Sequence, residues 1–565
     1  MTRTHASRHG FLLLGASFAL YLGALPLAAG APQQMDMKAA PPAKLMQGMG
    51  SLHHRIATQN ADAQKFFDQG LTLIYAFNHA EAARSFQRAA ELDPREPMPH
   101  WGLALALGPN YNATDVDAEA EKTGYDAIQK AKSLAASAPE AERAYVEALA
   151  HRFSNDPKDQ KNSAGMLAAN YTAAMRELYQ KYPDDPDAGT LYAESMMDLN
   201  PWLLWTSDGK PAKDTLEIVA VLEGVLRRWP DHVGANHFYI HVMEASPNPE
   251  YALPSADRLQ TLVPNAGHLV HMPAHIYERT GNYANAAKSN VDAVAVDRNY
   301  LRDKDIVNPT YSFGYVLHNK DFLRQAAAME GDYDTAIKIA REIESDGRTG
   351  IAQMPDMASM MEVGLPEPIL VLARFARWDE ILAAPQPDVK FSGLAFEWHY
   401  ARGAAFAAKG DAAKARAERD AMAETYKKLP QGPAFGMLFN TWETVNEVAT
   451  HALDARIAGA RGDWNAAANE WRATVAVQDK MRYNEPDDWY YPTRESLGAA
   501  LLRGGNAAEA EKVFREDLAK HPRNPRALFG LQKALEAQGK TVDAAWVRDA
   551  FAKMWKGGAL KIEDL

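Results

Sequence analysis

AQKFFDQGLTLIYAFNHAEAARSFQRAAELDPRE, residues 63–96, decides how the rest of the chain is read. Counted from Ala63, its small and apolar residues fall at positions 4, 8, 20, 24 and 27 (Phe66, Gly70, Ala82, Phe86, Ala89), and Pro94 falls at 32. Small residues at that spacing let two antiparallel helices approach closely, and a proline that cannot continue a helix closes the unit.

The same register returns wherever a Gly-containing triplet marks a turn between helices. Gly281-Asn282-Tyr283, Gly331-Asp332-Tyr333, Gly410-Asp411-Ala412, Gly462-Asp463-Trp464 and Gly505-Asn506-Ala507 all fit. Weaker copies lie at Arg377-Trp378-Asp379 and around Gly539, and Pro230, Pro264 and Pro522 take the closing position. Pro230 and Pro264 are 34 residues apart. About ten to eleven units of this kind cover roughly residues 63–558.

The pattern resembles the tetratricopeptide repeat (TPR). That resemblance implies an all-α fold, a TPR-type α-solenoid in which helix pairs stack into a right-handed superhelix. It also implies a concave groove, lined by the first helix of each pair, that binds proteins or peptides. Phe67-Asp68-Gln69-Gly70-Leu71, Phe77-Asn78-His79-Ala80-Glu81-Ala82, and His100-Trp101-Gly102 with Gly108-Pro109-Asn110 further resemble a histidine-rich group of exported bacterial TPR proteins. No reaction comes with that resemblance.

Three stretches interrupt the array: residues 108–122, residues 199–214 with Trp202, Trp205 and Ser207-Asp208-Gly209-Lys210, and residues 301–316 with Asn308-Pro309. Insertions in a solenoid tend to gather over one face, often the binding face. The expected division is an N-terminal array over 61–310 that carries the polar groove and a C-terminal array with a capping helix over 311–565.

Composition narrows the chemistry. The chain has 565 residues, 47% hydrophobic and 24% charged, which excludes a disordered, collagenous or multi-span membrane protein. It has no cysteine, so disulfides, thiolate nucleophiles, iron–sulfur clusters and c-type haem attachment are excluded, and any metal must be held by His, Asp, Glu or Met. A net charge of −12 argues against nucleic-acid binding.

Arg3, His5, Arg8 and His9 precede an apolar run from Phe11 to Leu27, followed by Ala28-Ala29-Gly30. This reads as a signal peptide over 1–30, an uncleaved anchor being the alternative. Its removal takes away Arg3 and Arg8, so the charge goes from −12 to −14. The expectation is a periplasmic or secreted protein with a flexible Met/Pro/Ala-rich leader over 31–60 and no membrane span after cleavage.

The histidines follow the repeat. His237-Phe-Tyr-Ile-His241-Val-Met-Glu244 and His271-Met-Pro-Ala-His275-Ile-Tyr-Glu278 share the pattern H-x3-H-x2-E and are displaced by 34 residues. Within each copy, i, i+4 and i+7 lie on one helical stripe. Those positions line the groove in the resembled family, which sets His237 beside His271 and His241 beside His275. His268, His318, Asp321, Glu194 and Asp198 fall in the same groove register. Imidazoles and carboxylates without thiolates suit a divalent transition metal, with copper, iron and zinc foremost.

On this reading His237, His241, His271, His275 and His268 are metal ligands. Glu244 and Glu278 are further ligands, groups that orient imidazoles, or a general base. Pro273 interrupts the second copy and can delay its helix, which would move His268 off the stripe. The benign alternative is that the histidines are satisfied core or only hydrogen-bond between neighbouring helices.

Methionine clusters at Met35, Met37, Met46, Met49, and Met354, Met357, Met360, Met361 suit Cu(I) or simply fill helical cores. Trp101, Trp489 and Tyr490 are candidate groove contacts to an organic ligand or peptide, or else packing between repeats. P-loop, dinucleotide, H-E-x-x-H and G-x-S-x-G signatures are missing.

Three functions fit: an exported scaffold with a His/Glu metal site, a metal-dependent enzyme (a Cu or Fe oxidase or oxygenase, or a Zn hydrolase), or a metal-free adaptor. The matching partners are an exported protein or peptide, or a small organic ligand in the groove.

Overall fold

The computed structural model describes residues 42–113, 116–160, 163–303, 311–355, 358–388, 390–430 and 440–565. The expected signal peptide, Met35, Met37, Asn308-Pro309 and Met357 lie outside the described residues.

Antiparallel helix pairs follow one another from Ala61–Tyr75 with His79–Leu92 to Pro525–Ala537 with Thr541–Ala552. The architecture is an all-α solenoid of TPR-type hairpins. Four of the turns use the same chemistry. A residue in left-handed backbone conformation ends one helix (Gly331, φ 83°), and the Asn or Asp after it caps the next by accepting a backbone N–H three residues on. Asp332, for example, accepts from Thr335. At Gly70 the helices touch so closely that a Cβ would lie 2.7 Å from the Phe86 ring. One hydrophobic core runs from Ala43 to Ala326 and a second from Ala327 to Leu565, meeting within the Val316–Glu330 helix.

Residues 42–60, expected from composition to be flexible, lie outside any helix and against the repeats. Ala43, Met49 and Ile56 are buried. The Met46 N–H donates to Gln69 Oε1 at 2.6 Å, and Asn265 Nδ2 donates to the Gln47 carbonyl at 2.9 Å. Apolar residues spaced through the segment fill gaps between helix ends, a contact that composition alone does not register.

The superhelix curls back on itself. The Pro522 carbonyl lies against Gly281, Lys556 Nζ donates to Glu330 at 2.6 Å, and the loop before the Arg494–Arg503 helix brings Glu485 to His275. Among the described residues no helix is long and apolar enough to cross a membrane.

Candidate metal centre

His237 and His241 lie one turn apart on the Val233–Glu244 helix, whose N-terminus His232 caps by accepting the Ala235 N–H. The second motif is divided. Pro273 has no N–H to donate, so Gly267–His271 and Pro273–Arg279 are separate helices. Met272 between them keeps helical angles (φ −49°, ψ −36°), so the winding is not lost. His271 and His275 therefore still face each other, with Nε2 atoms 2.8 Å apart. His268 stays in the helix and faces inward.

Six histidines form two triads. In each of His237/His241/His268 and His271/His275/His318, one nitrogen per ring lies within 4.8 Å of the others. His237, His241, His268, His271 and His275 are at most 2% exposed, while His318 is half-buried. The two triads adjoin, with the His241 and His275 rings 5.9 Å apart and His268 and His271 6.0 Å apart.

The expected pairing of His241 with His275 is present. His237, however, pairs with His268, their Nε2 atoms 3.1 Å apart, rather than with His271.

The outer nitrogens are fixed. His237 Nδ1 donates to the Tyr75 carbonyl at 2.6 Å. His271 Nδ1 donates to Asn290 Oδ1 at 2.7 Å, and Asn290 Nδ2 donating to the Ala286 carbonyl fixes that amide's orientation. Glu244 spans the triads, with Oε1 3.1 Å from His241 Nδ1 and Oε2 2.9 Å from His275 Nδ1. Glu485 also meets His275 Nδ1.

A neutral imidazole that donates through Nδ1 carries a lone pair on Nε2. Burial, reinforced by the neighbouring imidazoles, holds His237, His268 and His271 well below their ordinary pKa. Burial and the neighbouring His275 push His318 down to about 3. Burial works to raise Glu244, but His241 and His275 outweigh it and hold the carboxyl at about 2. Glu485 is pushed well above the usual carboxylate range by burial and by the charges of Glu244 and Asp487.

Aromatic rings wall the centre. Phe77 stacks on His241 and His268 with ring centroids 5.8 and 5.4 Å apart, and Phe322 packs on all three rings of the second triad. Phe77 occupies the turn position that is glycine in Gly281-Asn282 and makes the same backbone hydrogen bonds, at φ 52°.

Other expected site residues fall elsewhere. Glu278, at the end of its short helix, lies in the field of Arg324, Asp487 and Asp321 rather than among the histidines, and burial pushes it well up. Glu194 and Asp198 group around Arg152, with Asp198 2.7 Å from the guanidinium. Asp321 pairs with Arg324. Trp101 packs between Phe67 and Tyr145, and Trp489 and Tyr490 pack on Tyr400, so these three are core rather than groove contacts. Met49 and Met361 are buried packing residues.

Phe77, Asn290 and Phe322 carried no metal-ligand signal in the sequence. Glu485 stood among the aromatic residues before Thr493, but 210 residues separate it from His275. A cavity of about 150 Å³ opens beside the second triad, bordered by His318 and Glu485.

No family model matches the chain, and no curated protein matches it. Among solved structures, a human IFIT1 dimer with m7Gppp-AAAA is similar at TM-score 0.32 and 13% identity, over 88% of this chain and 91% of that one. The same protein with PPP-AAAA gives 0.31 at 13% identity, with the same coverage. The crystal structure of yeast Tom70 gives 0.27 at 14% identity, over 86% and 90%. Likeness this slight speaks to none of the site residues.

Proposed function

We propose that this chain is an exported TPR-type scaffold that holds two transition-metal ions, one in each histidine triad. The observation that carries the reading is the orientation of the imidazoles. His237, His241 and His271 each commit Nδ1 to an acceptor, which leaves an Nε2 lone pair turned toward the other rings of its triad, and His275 Nδ1 meets Glu485. Outer hydrogen bonds of this kind fix the tautomer and raise the basicity of metal-bound histidine. Neutral imidazoles suit copper, zinc or iron. Glu244 serves from behind, as acceptor for His241 and as a charge beside His275, whose Nδ1 bonds Glu485, and Glu278 takes no part.

The test is elemental analysis by plasma mass spectrometry on the full chain produced without a polyhistidine tag. About two equivalents of copper, iron or zinc per chain are expected, and close to none in H237A/H271A. Metal-free protein after exposure to each ion would overturn the reading. N-terminal sequencing of the exported protein, expected to begin at Ala31, tests the leader.

The cavity beside His318 favours a second reading, in which the centre is catalytic. Glu485 touches His275 and borders that cavity, so it replaces Glu244 and Glu278 as the carboxylate placed between ions and substrate. An oxidase, oxygenase or hydrolase assay then follows from the identity of the metal.

A further inference from the structure

The cavity beside the second triad has a mixed lining. Phe313, Leu317, Ile343 and Val445 supply apolar surface. Seven carboxyl groups border it as well, most of them already engaged. Asp321 and Glu367 hold Arg324 at 2.5 and 2.8 Å, which uses the cavity's one guanidinium among the described residues. Glu362 accepts the Gly393 N–H at 2.8 Å. Asp488 accepts from Asn440 and Asn484 at 2.5 and 2.6 Å.

Glu397 and Asp487 make no hydrogen bond or ion pair among the described residues, and of the two Glu397 is the buried one. It lies on the Ser392–Ala408 helix, is 6% exposed, and borders the cavity. Its Oε2, like Glu485 Oε1, is buried and meets no hydrogen-bond donor among the described residues. A buried carboxyl with no donor is costly unless a ligand supplies the missing charge or hydrogen. Burial, with the like charge of Glu367 adding to it, pushes Glu397 up to about 8. No fixed cation compensates it.

We propose that this cavity binds a small primary amine with an apolar body, its ammonium seated on Glu397 and its body against the apolar residues of the lining. A cavity of about 150 Å³ is the size that accommodates a single benzene ring. The proposal deepens the metal-centre reading by naming the substrate class. Its role as a substrate site rests on that reading, whereas binding itself requires no ion.

Isothermal titration of the metal-loaded full chain at pH 7.5 with benzylamine, benzyl alcohol and benzoate tests it. Benzylamine is expected to bind at least tenfold more tightly than the alcohol, and benzoate not to bind. Because Glu397 must ionise to receive the ammonium, binding releases a proton, seen as a difference in heat between HEPES and phosphate. E397Q is expected to weaken benzylamine at least tenfold; if that variant does not fold, the three-ligand series on the unaltered chain decides.

Equal binding of the alcohol or of benzoate, or unchanged affinity in E397Q, overturns the proposal. Metal content is measured on the same samples. Bound metal without amine binding defeats the pocket and spares the centre, and amine binding to metal-free protein does the reverse.

Discussion

His271 and His275 face each other through Nε2 atoms 2.8 Å apart, and where both neutral rings donate outward through Nδ1 neither Nε2 carries a proton. Two lone pairs held that close, on rings at most 1% exposed, repel unless a cation lies between them. Burial makes a proton a poor candidate for that cation, since it holds both rings below their ordinary pKa.

Metal should therefore stabilise the fold strongly. An ion that binds the native state at a hundred times its Kd adds about 2.7 kcal/mol. Chelator-treated protein is expected to melt several degrees lower than loaded protein, with recovery on adding back the native ion. Calorimetry checks this, and identical melting temperatures would contradict it.

The two triads should empty separately. H237A/H268A is expected to lose one equivalent of metal and keep the other, and H271A/H318A to do the same for the second triad. Loss of all metal in both variants would mean that the six histidines serve a single ion.

Glu244 and Glu278, equivalent in the sequence motif, should behave differently. E244Q removes the charge behind His241 and His275, and metal affinity should fall about 10- to 100-fold, the usual cost of losing such a partner. E278Q should leave metal affinity unchanged. Competition titrations with a chromophoric chelator distinguish the two.

Phe77 occupies a backbone position suited to glycine because its ring walls the centre. Left-handed backbone at a bulky residue costs about 1 kcal/mol or more, while truncating a buried Phe costs about 3–5 kcal/mol. F77G should therefore be destabilised by about 2–4 kcal/mol despite the relieved backbone, and should bind metal more weakly. A rise in denaturation midpoint would show that strain had outweighed packing.

The leader is fastened by His54, whose Nδ1 lies 2.7 Å from Asp187 Oδ2; Tyr75 and His232 occupy the other oxygen. Burial would lower His54, but the hydrogen bond and charge of Asp187, with Asp185 and Asp68 adding to them, raise it to about 9. A folded pKa above the unfolded 6.5 gives stabilisation that is complete below pH 6.5 and lost as pH rises through 9. Full release is worth on the order of 3 kcal/mol. Asp187, held below its ordinary value, works the other way and loses its contribution in acid. Glu142 and Glu96, a second carboxyl pair near the segment, also titrate. Protection of residues 42–60 against hydrogen exchange, taken relative to the intrinsic rate at each pH, should fall between pH 6 and 10, and H54A should flatten that dependence.

Periodicity made the helix pairs legible. The 34-residue spacing, the Gly-Asn and Gly-Asp turns and the closing prolines each act within a few residues, so the chain alone determines where helices begin, end and pair. The duplicated H-x3-H-x2-E motif was legible for the same reason, because helical stripes are local geometry. What lay beyond sequence was every relation set by how one pair stacks on the next. That stacking brings His237 to His268 rather than to His271. The same stacking turns Glu278 away while Glu244 reaches both triads. Curvature accumulated over many repeats carries Glu485 back to His275 and closes the acidic cavity. Small rotations at each interface add along a solenoid, so distant contacts depend on their sum and on no single repeat.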